Sequence, residues 1–315
     1  MHRLPTKLFL LLLLALMATG CKDKEATHQA AEAKARAFAA SQQAWRDERR
    51  AKLTQPDGWT SLVGLHWIDE GEHYFGSDPD NGIRLAAGPA HVGMISRKGD
   101  RLRFVPEKGA LLTLDGQPLA GATTLRSDAD DLGPSKLGFD DGKGVITVIK
   151  RGDRYALRVK HADAPTRIDF KGIEYWPGGD DWIVKARFVP NAPGKAILVA
   201  NIIGITEDVP NPGAVEFQRD GKTYRIEALD EGDGVLSLVF ADRTSGHGSY
   251  PAGRFLDAPM PDAKGNVVVD FNKSYNPPCA FTPFATCPLP PPENRLDLEV
   301  VAGEKAYHFE EPKHS

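Results

Sequence analysis

The sequence predicts a mainly β protein, with two β-sandwich or barrel-like halves preceded by one N-terminal α-helix. Three observations carry this. The 31 glycines and 24 prolines of the 315-residue chain fall between short apolar runs, as they do where many turns join many strands. Asp115-Gly116 and Asp220-Gly221 each stand between two such runs, and this dipeptide supplies the positive φ angles of a tight hairpin. Lys22 to Leu53 contains neither Gly nor Pro and is rich in Ala, Lys, Glu, Gln and Arg, the residues that lose least on entering a helix.

The chain opens with Arg3 and Lys7, an apolar run from Leu8 to Met17, and Ala18-Thr19-Gly20-Cys21. The apolar run is too short to span a bilayer and has the flanks of an export leader. The last four residues resemble a bacterial lipobox. That resemblance implies a signal peptide over 1–20 and a lipidated Cys21, with several acyl chains as a firm anchor. Lys22 follows the cysteine, which points to the outer membrane, facing the periplasm. Residues 21–55 then form a tether and helix, with Phe38, Trp45 and Leu53 as a thin apolar stripe. The formal charge of −4 becomes −6 once Arg3 and Lys7 leave. With no broad basic stripe, that charge argues against a nucleic-acid partner.

Gln55-Pro56-Asp57-Gly58 ends the helix. Residues 56–162 read as the first β-sandwich. Strands are expected at Leu62–Trp67, His73–Gly76, Ile83–Leu85, Ala90–Arg97, Leu102–Val105, Leu111–Leu114, Gln117–Leu119, Val145–Ile149 and Arg154–Val159. Gly71, Phe75-Gly76-Ser77-Asp78, Ile83-Arg84-Leu85, Ala90-His91 and the Asp115-Gly116 turn resemble a degenerate forkhead-associated sandwich. In that family an Arg after the glycine and a later Ser hold phosphothreonine. Here Ser77 stands in place of the Arg, so the charge-assisted bonds to phosphate are missing and no phosphopeptide is expected. His91 reads as a framework histidine.

Asp163-Ala164-Pro165 marks a break, and residues 163–310 read as a C-terminal β domain. Trp182–Phe188, Ala214–Arg219, Lys222–Ala228, Val235–Ala241, Val267–Phe271 and Leu296–Val301 are the expected strands. Ala196 to Ile205 is a near-continuous apolar run, either one buried strand or two joined at Asn201.

Asp270 to Leu296 governs this domain. Its many prolines fix φ and remove donors, so it can be neither helix nor central strand. It holds Cys279 and Cys287 with Phe281 and Phe284 between them. An exported compartment is oxidising, so the pair is expected as a disulfide, with both rings buried against the second sandwich. The rival is a metal site with His247 or His91. However, the cysteine spacing matches no usual zinc pattern and no local His pair completes it.

No Gly-x-Ser-x-Gly, HExxH or dinucleotide motif is present, and Ser245-Gly246-His247-Gly248-Ser249 reads as a loop. No cofactor is implied. What remains is a polar constellation. Asp242, Arg243 and Thr244 end one strand. Tyr250, Arg254, Asp270, Asn272, Asn276, Glu293 and Arg295 follow among prolines and aromatics. Charged groups in such surroundings are paired and hydrogen-bonded. In one reading Arg254 and Arg295 bond loop carbonyls and carboxylates to hold the proline segment flat, with Arg295 near Asp270 or Asp242. In the other, an Arg binds an anionic group and an acid serves as base.

FNKSYNPPCAFTPFATCPLPPPENRL (271–296), YPAGRFL (250–256) and GWTSLVGLHWIDEGEHYFGSDPDNGI (58–83) resemble the DUF1684 family over about Ala44 to Lys305. The resemblance implies bacterial members, often lipoproteins, of β-rich build, and transfers no catalytic residue. Three functions stay open. One is an anchored envelope protein binding a small polar or anionic ligand in its C-terminal domain. Another is an envelope hydrolase using Asp270 or Glu293. The third is an interaction protein using the proline segment.

Overall fold

The structure, a computed structural model, describes the backbone of residues 6–307, and the side chains of residue 25 and residues 27–307. The side chain of Cys21, and with it the lipid-anchor expectation, lies outside the described residues. One long helix, α1 (Thr6–Leu53), comes first. Among the described residues no helix is long and apolar enough to cross a membrane. The chain through Glu48 forms one compact unit, and the chain from Arg49 onward forms another.

Within the second unit, eleven strands build a sandwich. They are β1 (Leu62–Ile68), β2 (Gly71–Gly76), β3 (Ile83–Arg84), β4 (Gly93–Lys98), β5 (Arg101–Pro106), β6 (Thr113–Leu114), β7 (Gln117–Pro118), β8 (Thr123–Leu125), β9 (Leu137–Phe139), β10 (Gly144–Arg151) and β11 (Arg154–His161). One sheet runs β1-β11-β10-β9-β6-β7 and the other β3-β2-β4-β5-β8. Alternation along each strand turns Phe75, Ile95, Phe104, Ile146, Val148, Leu157 and Val159 into one core between them. Asp115-Gly116 makes the β6–β7 hairpin with both φ angles positive. Ser77 donates to Gly88 O and His91 meets Asn81.

A one-turn helix, α2 (Pro165–Ile168), precedes the remaining strands. These are β12 (Ile183–Pro190), β13 (Ala196–Ala200), β14 (Thr206–Pro210), β15 (Gly213–Arg219), β16 (Lys222–Ala228), β17 (Val235–Phe240), β18 (Arg254–Pro259) and β19 (Asn266–Asp270). β16-β15-β12-β19 form one sheet, and β17-β18 and β13-β14 form antiparallel pairs. Asp220-Gly221 turns β15 into β16. A second core gathers Trp182, Phe217, Ile226, Leu238, Phe240, Val269 and Phe271. No sheet among the described residues closes into a barrel.

Two expectations need correction. The apolar run from Ala196 is not one buried strand; it bends at Asn201, as the other reading had it, but its second part is a turn and the next strand begins only at Thr206. Asn201 Oδ1 accepts from Ile203 N and Ile205 N at the bend, and the chain returns as β14. Leu198 is left 60% exposed, because this hairpin has no second sheet over it on that side. Leu296–Val301 is not a regular strand. It is an extended segment joined to its neighbour by Leu296 N to Ala241 O and Arg243 N to Leu298 O, and its later carbonyls are held by a side chain instead.

Candidate functional site

That side chain is Arg254. Gly253 stands before it at φ +96°, a left-handed angle that glycine adopts without steric cost. A Cβ there would lie 2.6 Å from both Phe240 O and Pro290 Cγ. The turn feeds Arg254 into β18 opposite Phe240, pointing inward and fully buried. Its Nη1 donates to Ala302 O and Glu304 O, and its Nη2 to Val300 O at 2.9 Å, Asp242 Oδ1 at 3.2 Å and Thr244 Oγ1. Asp242 Oδ2 accepts from Val300 N and from the Thr244 hydroxyl, both at 2.8 Å. Burial holds the Arg254 guanidinium below its ordinary pKa, and Asp242 opposes that shift.

Glu304 is, like Arg254, a fully buried charged residue. Its carboxylate accepts from Asn276 N at 2.6 Å and from Arg49 Nε at 2.9 Å. The Arg49 guanidinium also lies 4.5 Å from the centre of the Tyr275 ring. Burial raises the Glu304 pKa, and Arg49 pulls against it. Asn276 Nδ2 donates to Lys305 O. Arg254, Asn276 and Glu304 therefore bind the C-terminal segment to the proline stretch.

The other predicted residues are dispersed. Asp270 accepts from Asn272 N and Nδ2, and Asn272 Oδ1 receives Gly179 N, which closes the turn at Gly178-Gly179. Glu293 and Arg295 are exposed. Arg295 pairs with Ala241 in a parallel bridge, next to Asp242, but its side chain is exposed rather than kept from solvent, and Arg254 is the residue that holds Asp242. Arg295 precedes buried Leu296 in an extended segment, and successive side chains there face opposite ways. Sequence reasoning did not single out Asn294, which is fully buried. It donates to Glu227 O and Val239 O and accepts from Glu227 N.

Cys279 and Cys287 are joined in a disulfide, with Cα atoms 6.2 Å apart. The loop does not pack on the second sandwich alone. Thr282 donates to Leu62 O, and Arg151 Nε donates to Thr286 Oγ1, both from the first sandwich. Ile202 N donates to Cys287 O, and Leu289 N to Ala200 O. Phe281 is buried with Leu53, Phe170 and Tyr307 in a small cluster of its own, while Phe284 is half-buried.

Beside the Arg254 network opens a cleft of about 550 Å³. Ser249, Tyr250, Tyr307, Lys305 and Glu174 line it, with Gly172, Gly246 and Gly248 at its edges. Ser249 Oγ accepts from Trp176 Nε1 at 3.0 Å and lies 2.7 Å from Thr244 Oγ1. Thr244 has one hydroxyl proton and commits it to Asp242, so Ser249 is the donor between the two hydroxyls. The Tyr250 hydroxyl donates to Cys279 O, and burial raises its pKa. Lys305 Nζ is 3.4 Å from Glu174 and 5.6 Å from the Trp176 ring centre. The cleft thus offers two aromatic rings, one cation, one acid and glycine backbone over a floor that the buried network holds fixed. Asp270, Glu293 and Arg254 do not line it.

Residues 168–305 match the model of a family described as "Protein of unknown function (DUF1684)". The match begins well after Ala44, so it covers less of the chain than the quoted motifs suggest. No curated protein matches the chain. A solution NMR structure of an uncharacterized protein of Haloarcula marismortui is similar at 29% identity. It covers 44% of this chain and 78% of that one, with a TM-score of 0.37.

Proposed function

We propose, for a chain that belongs to the DUF1684 family through residues 168–305, that it is a lipid-anchored cell-envelope protein that binds a small polar or anionic ligand. The binding part rests on one observation, the cleft in which Tyr250, Tyr307 and Lys305 converge over Ser249. Concave sites with aromatic walls and a few fixed polar groups are what small ligands select. Lys305 sits at the mouth, 37% exposed, beside a Glu174 that is 83% exposed. A ligand carboxylate or phosphate exchanges with that loosely held acid at little cost. The anchoring part rests on Arg3, Lys7, the Leu8–Met17 run and Ala18–Cys21.

The binding test is a thermal-shift screen of polar metabolites and cell-wall fragments on wild type and Lys305→Gln. A native-state ligand raises the melting temperature by mass action. The expected result is a saturable rise that needs at least about tenfold more ligand in the variant, since one charge-assisted bond is lost. A ligand that titrates both proteins equally refutes the cleft. The anchoring test is Cys21→Ser with membrane fractionation and acyl labelling. The expected variant is unlabelled and released, or retains its leader.

A further inference from the structure

β11 carries Arg158 and Lys160 on the face of its sheet turned away from the first core, because Leu157 and Val159 face that core. Register sets Thr147 of β10 and Leu65 of β1 on either side of Arg158. The Trp59 ring centre lies 5.2 Å from the Arg158 guanidinium and 5.1 Å from Lys160 Nζ. On the same sheet face, Arg151 gives Nη1 to Asp128 at 2.8 Å and Nε to Thr286 of the disulfide loop. Lys160 Nζ donates to Asp57 O.

Arg158 differs from both. It is half-buried and its Nε is fully buried, yet no described residue accepts a hydrogen bond from it or pairs with it. A guanidinium has five N–H donors, and a ring face satisfies none of them in the plane where they point. A buried polar group without a partner is a rare state in a folded protein. Burial and neighbouring Arg151 hold Arg158 down to about 10, with Asp128 opposing. Burial and Arg158 also lower Lys160. Cations depress one another in this way, and Asp128 and Asp57 offset the effect only in part.

We infer that Arg158, Lys160 and Thr147 form a binding site for a compact oxyanion, a phosphate or carboxylate group, on the sheet face bordered by Trp59 and the disulfide loop. Planar N–H pairs of Arg158 meet two oxygens, as guanidinium does with such groups. Lys160 adds a second charge and the Thr147 hydroxyl a neutral donor. The site lies in the first sandwich, apart from the Lys305 cleft, and its failure would leave that cleft untouched.

The test is thermal denaturation of the full chain against inorganic phosphate, with chloride adjusted to constant ionic strength. Wild type is expected to gain melting temperature saturably. Arg158→Met is expected to lose at least tenfold in apparent affinity, and Lys160→Gln at least threefold. Arg103→Met, exposed on the other sheet, is expected to titrate like wild type. Glycerol 3-phosphate in place of phosphate separates two sources. Tighter binding indicates a phosphoester, and equal or weaker binding indicates the free ion. In phosphate-free buffer Arg158→Met should melt no lower than wild type, because it removes an unpaired cation. A markedly lower melting point there makes the arginine structural and overturns the proposal. So does the absence of a saturable response in wild type, or equal titration of wild type and Arg158→Met.

Discussion

Arg254→Met keeps most of the side-chain volume and removes every donor. In the native protein its two terminal nitrogens reach three backbone carbonyls, Val300, Ala302 and Glu304, and the Asp242 carboxylate, all with the guanidinium fully buried. The variant leaves the three carbonyls without that partner. It also strands Asp242, 1% exposed at its side chain, with Val300 N, the Thr244 groups and a long contact from the Ser245 hydroxyl for support. Removing one member of a buried pair costs about 3–5 kcal/mol, most of it the penalty of the charge left behind. Asp242→Asn in the same chain neutralises that charge. The double variant is therefore expected to be more stable than the two single losses sum to, by about 1–3 kcal/mol of coupling. Urea unfolding followed by tryptophan emission measures this. Midpoints are read as stability only where the m-values agree. An Arg254→Met loss below about 1 kcal/mol, well under the expected range, or strict additivity in the double variant refutes the reading of Arg254 as the clamp on the C-terminal segment.

Cys279→Ser with Cys287→Ser should cost roughly 2–3 kcal/mol of chain entropy for so short a loop. The segment should become open to protease before the rest unfolds, and an unchanged melting temperature counts against this. Arg49→Met leaves Glu304 as a buried uncompensated carboxylate. A carboxylate whose folded pKa is raised gives stability that is present below its unfolded pKa and lost as pH rises through the folded one. With Arg49 gone the folded value rises further, so the stability gap between variant and wild type should narrow as pH falls from 7 towards 5. A gap independent of pH in urea titrations would remove Glu304 as the cause.

Much of the fold was legible because its signals are local. Asp-Gly turns need two positive φ angles at adjacent positions and announce them in two letters. Both hairpins formed where expected. Alternation marked β1, β10, β11 and β16 to within two residues or fewer. β18 was not expected as a strand, since Tyr250-Pro251-Ala252-Gly253 before it reads as a turn and only Phe255 and Leu256 begin an apolar pattern. The proline stretch was legible for the same local reason, because fixed φ and missing donors exclude regular structure, whereas its disulfide was expected from the paired cysteines and an oxidising compartment.

The candidate site was legible only as a list of residue types. Arg254 and Arg295 look alike in sequence, and the tertiary structure separated them. A positive-φ glycine and pairing to Phe240 turn Arg254 into the core, while the extended chain around Leu296 sends Arg295 outward. Arg49 and Glu304 lie 255 positions apart, and neither has a neighbour in sequence that foretells the other. The sequence by itself determined the β class, the hairpin turns and the irregular proline segment, since steric limits on φ and side-chain alternation act within a few residues. Tertiary structure alone decided which charges are buried and what they hold. Arg254 binds mainly backbone carbonyls 46–50 positions away, and a carbonyl is the same group in every residue, so no letter in the chain marks it as a partner.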